Sequence, residues 1–396
     1  MHKIERLLQA LAPKGVEFKK LGEVLEYDQP NKYCVTSKEF DKSYPTPVLT
    51  AGKTFILGYT NEKDNIYQAS KSSPVIIFDD FTTATQWVDF PFKVKSSAMK
   101  ILLPKNPTIN IRFIFFYMQT IPYNISGEHT RQWISRYSQI TIPIPPLEIQ
   151  QEIVKILDAF TELNTELNTE LKARKKQYQY YQNMLLDFKD TNQNHKDAKI
   201  KTYPKRLQTL LQTLAPKGVE FRKLGEVCDF QKGKSITKKA VTFGKVPVIS
   251  GGRQPAYYHN EANRSGETIA ISSSGVYAGY VSYWDIPVFL ADSFSVSPKQ
   301  KTLMPKYLFH YLTTQQDAIH ATKSTGGIPH VYSKDLQNFL IPIPPLEIQQ
   351  EIVKILDQFS ILTTDLLAGI PAEIEARKKQ YEYYREKLLT FKPLKA

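Results

Sequence analysis

Cysteine is scarce in this sequence of 396 residues, which contains only Cys34 and Cys228. Neither has a second cysteine or a histidine at the spacing of a metal site, so the sequence offers no zinc-finger pattern and no disulfide framework. Such sparse use of cysteine is typical of proteins in a reducing compartment, and we expect this chain to be cytoplasmic.

Long apolar runs are also missing. No stretch reaches the roughly 18 apolar residues that a membrane-spanning helix needs, so we expect no contact with a membrane interior. The first residues, MHKIERLLQALAPKG, carry charges within their apolar stretch and have no small-residue cleavage site. We therefore expect no secretory signal there.

Acidic residues are outnumbered by basic ones. The sequence contains 39 Asp and Glu residues and 52 Lys and Arg residues, which gives a formal net charge of +13. Such an excess favours a polyanionic partner, with nucleic acid ahead of an anionic membrane surface. The length exceeds what one hydrophobic core usually supports, so two domains are expected.

A long internal repeat organises the chain. The letters IPIPPLEIQQEIVKILD run from Ile142 to Asp158 and again from Ile341 to Asp357. Two further blocks flank this one in the same order in both halves: LAPKGVEFKKLGEV (11–24) with LAPKGVEFRKLGEV (214–227), and ARKKQYQYY (173–181) with ARKKQYEYY (376–384). The segments between the first two blocks, 25–141 and 228–340, differ almost completely. We predict a duplicated frame that holds two inserts of one fold but different surface.

The repeated block predicts a long amphipathic helix in each half. Prolines precede the periodic residues and Glu148 lies in the first turn, so the first helix is expected to begin near Leu147. Apolar residues recur at three- and four-residue steps as far as Phe188, a length of roughly 60 Å if the helix is unbroken. The second copy is interrupted near 369–371. Two such helices are expected to pack along an apolar seam as an antiparallel pair.

The inserts mix short strand patterns, such as SPVIIF and ETIAIS, with one short helical pattern each, around 113–119 and 307–314. We assign the chain to the α+β class.

Polar and aromatic side chains in the turn-like segments of the inserts are the candidates for DNA contact. Lys and Arg would pair with phosphates, while Arg, Gln, Ser and Thr would meet base edges. The candidates are Thr50, Lys53, Thr83, Gln86, Arg131, Gln132 and Trp133 in the first insert, and Ser250, Arg253, Gln254, Tyr257, Tyr258, Ser273, Tyr277, Lys323, Ser324 and His330 in the second. Taken singly, each is more consistent with an ordinary surface position, and Trp133 with a core position, whereas as a group they favour DNA contact.

Motifs of an enzyme are weak. GKT at 52–54 and GKS at 233–235 lack the earlier glycine of a phosphate loop, and FDDF at 78–81 has no Glu-x-Lys partner of the kind that nucleases use. His310 lies in an apolar helical stretch and is expected to be a packed or partly exposed histidine and not a ligand. No catalytic residue, metal site or cofactor is predicted.

The blocks IPIPPLEIQQEIV, APKGVEFRKLGEV and ARKKQYEYYREKLLTF, alternating with two variable regions, resemble the specificity subunit of type I restriction-modification systems. The resemblance implies a non-catalytic subunit in which each variable region is a target recognition domain that reads one half of a bipartite site in double-stranded DNA. It also implies that the conserved helices set the spacing and bind two methylation subunits, and that restriction subunits join the full complex. The tetrads in TELNTELNTEL (161–171) would then tune the spacer, although the second half carries Gly369–Pro371 at that place.

The resulting hypothesis is two pseudo-symmetric α/β target recognition domains separated by an antiparallel pair of long α-helices. The expected boundaries are 1–146 for the first recognition domain with a short N-terminal helix, 147–188 for the first spacer helix, 189–204 for a linker, 205–345 for the second recognition domain and 346–392 for the second spacer helix. A stand-alone DNA methyltransferase or nuclease and a basic structural scaffold remain as alternatives.

Overall fold

The computed structural model describes residues 2–51, 54–122, 131–188, 203–299, 301–324, 327–364 and 369–394. The helices are α1 (His2–Leu11), α2 (Leu21–Val24), α3 (Ile111–Met118), α4 (Gln132–Ser135), α5 (Leu147–Leu186), α6 (Lys205–Leu214), α7 (Leu224–Val227), α8 (Pro305–Thr314), α9 (Gln316–Ala321), α10 (Ser333–Leu336), α11 (Leu346–Thr364) and α12 (Ile370–Leu389). The strands are β1 (Glu17–Lys20), β2 (Leu25–Asp28), β3 (Thr46–Leu49), β4 (Ile56–Thr60), β5 (Val75–Asp79), β6 (Thr85–Val88), β7 (Lys93–Val94), β8 (Met99–Pro104), β9 (Thr141–Ile144), β10 (Phe221–Lys223), β11 (Cys228–Lys232), β12 (Val246–Ile249), β13 (Tyr257–His259), β14 (Thr268–Ser272), β15 (Val281–Trp284), β16 (Phe289–Leu290), β17 (Ser293–Pro298) and β18 (Leu340–Pro342).

The chain forms two compact units. Unit 1 contains Met1–Leu167 together with Ile374–Ala396, and unit 2 contains Asn168–Glu373. The long helix α5 therefore gives its first part to unit 1 and its second part to unit 2. In the described part of the chain, no helix is long and apolar enough to cross a membrane.

The two units contain the same three sheets. In unit 1 the strand orders are β2-β8-β5-β6, β4-β3-β7 and β1-β9, and in unit 2 they are β11-β17-β14-β15, β13-β12-β16 and β10-β18. Orientation matches as well, because β3 and β12 each pair antiparallel with the following strand and parallel with β7 or β16. The predicted α+β class with two pseudo-symmetric bodies is confirmed, and the inserts share a fold despite their different sequences.

The central strands β5 and β14 lie inside their sheets, and all five residues of each are buried. Burial on both faces explains why the sequence there is a short continuous apolar run and not an alternating one. Helices α3 and α8 pack against these sheets. Asn110 caps α3 by accepting hydrogen bonds from the backbone N–H groups of Arg112 and Phe113, at 2.9 and 3.2 Å.

A buried glutamine in the repeated block fixes each long helix to the insert of its own unit. In unit 1 the Gln150 side chain accepts from the Asn110 N–H at 2.8 Å and donates to the Pro145 carbonyl at 2.7 Å. In unit 2 the Gln349 side chain accepts from the Met304 N–H at 2.9 Å and donates to the Pro344 carbonyl at 2.7 Å. Both side chains are fully buried, so losing either would leave buried backbone groups unpaired. This shared anchor is a physical reason for two identical blocks.

An aspartate two turns further along each helix makes a second anchor. Asp158 accepts from Arg112 of α3 at 2.8 Å, and Asp357 accepts from Lys306 of α8 at 2.6 Å. Asp357 also lies 3.0 Å from Nε2 of the buried His310. His310 is thus a packed, hydrogen-bonded histidine, as predicted.

Each unit also contains an antiparallel contact between two long helices. In unit 1 the Phe160 ring of α5 stacks on Tyr384 of α12, with centroids 5.5 Å apart. In unit 2 the equivalent Phe359 of α11 stacks on Tyr181 of α5 at 5.1 Å. Helix α5 begins at Leu147, as the prolines indicated. In the second half α11 ends at Thr364 and α12 begins at Ile370, close to the predicted interruption.

Candidate nucleic-acid interface

The candidate residues lie in or beside three loops, which occur at the same points of both units. Loop A follows β3 or β12 (50–55 and 250–256), and loop B joins β5 to β6 or β14 to β15 (80–84 and 273–280). Loop C is the segment that precedes β9 or β18; it includes the short helix α4 in unit 1 (131–136) and spans 323–332 in unit 2. Lys53, a candidate in loop A, lies outside the described residues. Gln86, Tyr257 and Tyr258 lie on the strands that follow these loops.

The three loops meet in unit 2. Loop C joins loop B where the Val331 N–H donates to the Ser273 carbonyl at 2.9 Å, and Ser274 pairs with His330 in an isolated β-bridge. Loop A joins loop B through the Ser272 hydroxyl, which donates to the Ser250 carbonyl at 3.1 Å. A side chain at Gly251 would place its Cβ 2.6 Å from the Ser274 carbonyl oxygen, so the close approach requires glycine.

Aromatic rings hold the basic side chains of this surface. The Arg253 guanidinium lies 4.9 Å from the ring centroid of Tyr277 and 5.7 Å from that of Tyr280. The His330 ring stacks on Tyr332 with centroids 6.0 Å apart, and Lys334 lies 5.4 Å from the same tyrosine. The guanidinium is thereby oriented while Arg253 and the neighbouring Gln254 remain exposed.

Loop C of unit 2 is closed by its own hydrogen bonds and carries further charge. The Ser324 N–H donates to the His330 carbonyl at 3.0 Å, and the His330 N–H donates to the Ser324 hydroxyl at 3.1 Å. Lys323 donates to the Val276 carbonyl of loop B at 3.4 Å. Burial lowers the pKa of the nearby His320, and the positive charge of Lys323 lowers it further; Asp317 opposes this effect and Arg253 adds to it. Lys323, Arg253 and Lys334 bring three cations to this surface, which suits a phosphate-rich ligand.

The exposed side chains around the loops of unit 2 include apolar ones. Val276 is 82% exposed, Ile328 is 66% exposed and Tyr258 is 57% exposed. Tyr257, next along β13, is half-buried against the core of its small sheet. Apolar groups beside cations on one surface suit contact with base edges and methyl groups as well as with phosphates.

Loops B and C meet in unit 1 through the same backbone contact. The Gln132 N–H donates to the Asp80 carbonyl at 2.8 Å, which matches the Val331–Ser273 bond of unit 2. This equivalence places Arg131 where unit 2 has His330. Loops A and B also lie close together, because Thr50 of loop A and Ala84 of loop B line one small cavity, together with Gln86 of β6.

Three candidates of unit 1 have buried side chains. Trp133 is 2% exposed and packs edge-on against Phe78 at 5.3 Å, and Gln132 is 3% exposed. Thr83 is 9% exposed and adopts a positive φ of 60° in the turn of loop B. We assign these three to the support of the loops and leave Thr50, Gln86 and Arg131 as the described candidates of unit 1.

The pair of aspartates in FDDF is a structural turn. Asp79 accepts from the N–H groups of Phe81 and Thr82, at 2.9 and 3.2 Å. Asp80 is fully buried and accepts from the Trp133 N–H at 2.8 Å through Oδ1, while its Oδ2 lies 3.6 Å from Nζ of the buried Lys100. Burial lowers the pKa of Lys100; Asp80 opposes this effect and Arg131 adds to it. This pair was not predicted from the sequence, although a lysine inside the apolar run MKILLP was a signal for it.

Groups of the kind that catalyse reactions are not arranged as a site in the described part of the chain. No group of three His, Cys, Asp or Glu side chains there could hold a metal ion. Burial raises the pKa of the Cys228 thiol to about 12, so it is not an activated nucleophile.

Comparison with known proteins agrees with this geometry. The family model described as "Type I restriction modification DNA specificity domain" matches twice, at residues 13–177 and 216–376. The EcoR124I/EcoR124II specificity subunit of Escherichia coli is 40% identical over 99% of this chain and 97% of its own length. A putative type I restriction enzyme specificity subunit of Haemophilus influenzae is 30% identical over 98% of both chains.

Among solved structures, the S subunit of a type I restriction-modification system from M. genitalium superposes with a TM-score of 0.66. It covers 95% of this chain and 96% of its own at 16% identity, which shows a common fold. With the family model matched in both halves and a relative that is similar over nearly the whole length, the chain belongs to the family of type I restriction-modification specificity subunits.

Proposed function

We propose that this chain reads a bipartite site in double-stranded DNA, with the loops of unit 1 on one half-site and the loops of unit 2 on the other. The observation that carries the proposal is the duplicated cluster of loops A, B and C. One backbone framework occurs twice, and the side chains on it differ in nearly every position. Two different half-sites are the expected consequence.

The candidate residues have the chemistry of groove recognition. Arg253 presents a fork of donors that fits the O6 and N7 atoms of guanine, and Gln254 fits the N6 and N7 atoms of adenine. In unit 1, Arg131 and Gln86 offer the same donor groups from other positions of the framework. The chain has 52 basic and 39 acidic residues, and this excess of positive charge supports salt-dependent attraction to the DNA phosphates. Contacts with phosphates position the loops on the DNA but do not read its sequence.

The long helices set the distance between the half-sites. Helix α5 has 40 residues, or about 60 Å at the usual rise, and Gln150 fixes its start to the recognition domain of unit 1. Each four-residue step within TELNTELNTEL adds about 6 Å, nearly two base-pair steps. A helix of fixed length that is tied to a reading surface is suited to set a spacer.

Catalysis comes from partner subunits in this proposal. Two methylation subunits dock on the repeated helices and modify adenine, restriction subunits complete the cytoplasmic complex, and this chain needs no cofactor. The repeated blocks support this proposal, because two copies of one methylation subunit need two docking surfaces of the same sequence, and the blocks provide them. The E. coli relative is named as the specificity subunit of a type I restriction enzyme.

Sequencing that detects methylated adenine in host DNA tests the proposal. Cells that carry the gene with its methylation partner should contain a split motif that disappears on deletion of the gene. Removing residues 163–166 should change only the tolerated spacer. A contiguous motif, or binding of S-adenosylmethionine and methylation by this chain alone, would contradict the proposal and favour a stand-alone methyltransferase.

A further inference from the structure

Asp292 is an exposed carboxylate at the meeting point of loops A and B in unit 2. The Ser274 hydroxyl of loop B donates to its Oδ2, and the backbone N–H of Ser273 donates to its carbonyl at 3.0 Å. The same Oδ2 lies 3.8 Å from the position that a Cβ on Gly251 of loop A would occupy. One carboxylate oxygen is therefore held in place, while the other accepts no hydrogen bond within the described part of the chain and has lone pairs for a ligand.

The fold does not require an acid at this position. In unit 1 the N–H of Asp80, the equivalent of Ser273, donates to the Ala98 carbonyl at 3.2 Å. Ala98 thus occupies the place of Asp292 in the same framework. Since an alanine serves there in one unit, the shared framework does not need a carboxylate, and the side-chain contact that Asp292 adds in unit 2 is the bond from Ser274.

A carboxylate on an electropositive DNA-binding surface works against affinity for phosphates. Within the described residues Asp292 forms no ion pair with a lysine or arginine, so it does not serve to neutralise Arg253, Lys323 or Lys334. Its remaining role is to discriminate between bases, because a carboxylate accepts hydrogen bonds from a base and cannot donate them.

We propose that Asp292 selects cytosine at one position of the half-site read by unit 2, by accepting a hydrogen bond from the exocyclic N4 amino group. Adenine also offers an amino group, but its adjacent N7 is an acceptor that repels a carboxylate. Cytosine has no acceptor beside its amino group on that edge. Arg253, a donor to guanine, and Asp292, an acceptor from cytosine, lie in one loop cluster and together suit recognition of G·C pairs.

The inference rests on the proposed function, so its test uses the methylated motif in cells that carry the full chain with its methylation partner. Asp292→Asn replaces the acceptor with an amide that fits the N6 and N7 atoms of adenine. We expect one position of the unit 2 half-site to change its preference from cytosine to adenine by on the order of tenfold or more. Asp292→Ala introduces the residue that unit 1 has at the equivalent position, Ala98. This variant should accept any base at that position of the half-site and keep its preference at the other positions.

Asp285→Asn is the matched control, because Asp285 is also exposed and follows β15 at the end away from loop B. It should leave the motif unchanged. An Asp292→Asn motif identical to that of the wild type, or total loss of methylation by a variant whose melting temperature is unchanged, would overturn the assignment of Asp292. Absence of any split motif with the wild-type chain would instead refute the proposed function.

Discussion

Replacing Lys100 with methionine should destabilise unit 1 and weaken selection of the half-site that it reads. Lys100 is 2% exposed and Asp80 is fully buried, with Nζ 3.6 Å from Oδ2. Removing the cation leaves a buried carboxylate with no counter-ion, which costs about 3 to 5 kcal/mol. Asp80 also accepts from the Trp133 N–H, so a disturbed Asp80 displaces loop C and with it Arg131.

Unit 2 indicates how the same site folds without the pair. Phe78 of β5 lies opposite Lys100, and the equivalent Ile271 of β14 lies opposite Phe294. The double substitution Asp80→Ser/Lys100→Phe copies Ser273 and Phe294 of unit 2. Unit 2 accommodates these two residues in the same framework, so we expect the double substitution to cost no more than about 1 to 2 kcal/mol, mostly the lost bond to Trp133.

Urea unfolding of the full chain, followed by tryptophan fluorescence, measures both effects because Trp133 packs beside this pair. The midpoint should fall strongly for Lys100→Met and recover in the double variant, which still loses selectivity in the unit 1 half-site. If the single and double variants unfold within about 0.5 kcal/mol of each other, Asp80 and Lys100 are not coupled and the reasoning fails.

Other perturbations test the loops and the pH dependence of unit 1. Gly251→Ala should weaken selection of the unit 2 half-site, because its Cβ would lie 2.6 Å from the Ser274 carbonyl oxygen. At Gly252 the nearest atom would be 3.5 Å from an added Cβ, so Gly252→Ala should leave the selection unchanged. If the methylated motif responds in the same way to both substitutions, the contact between the loops is not needed for reading. Arg253→Lys should lose guanine preference at one position, measured in the same assay, since lysine lacks the planar fork; retained preference would exclude a bidentate contact. Burial acts to raise the pKa of Glu62, but Lys93 and nearby N–H groups lower this pKa from an ordinary 4.5 to about 2. The ionised Glu62 therefore stabilises the fold fully above about pH 4.5, and progressively less as the pH falls towards 2. Glu62→Gln should remove about 2 to 3 kcal/mol of that acid-dependent stability in urea titrations at several pH values, and an unchanged pH profile would show that Glu62 is not the group responsible.

The long helices and the duplicated fold of this protein could be predicted from the sequence because the patterns that indicate them are local and repeated. The prolines before Leu147 and the apolar period of three to four residues indicated the start of α5, and the duplication indicated two bodies of one fold. The order of the strands was not predictable. Partners such as β5 and β8 are distant in sequence, and their pairing depends on tertiary packing rather than on any local pattern.

The candidate site was predictable as a set of segments but not residue by residue. Composition pointed to the segments that form loops A, B and C, yet burial depends on how each loop returns to the core. Trp133 and Gln132 turn inward because Asp80 accepts from both of their N–H groups. Asp292 was not identified because nothing in its immediate sequence, FLADSFSV, distinguishes it from an ordinary exposed aspartate. Its significance comes from contacts with loops that are distant in sequence.

The most direct test of independent reading by two loop clusters is to exchange residues 228–340 for the variable region of another family member and determine the methylated motif. The account predicts that the half-site assigned to unit 2 changes, while the other half-site and the spacer stay the same. A change in both half-sites would contradict it.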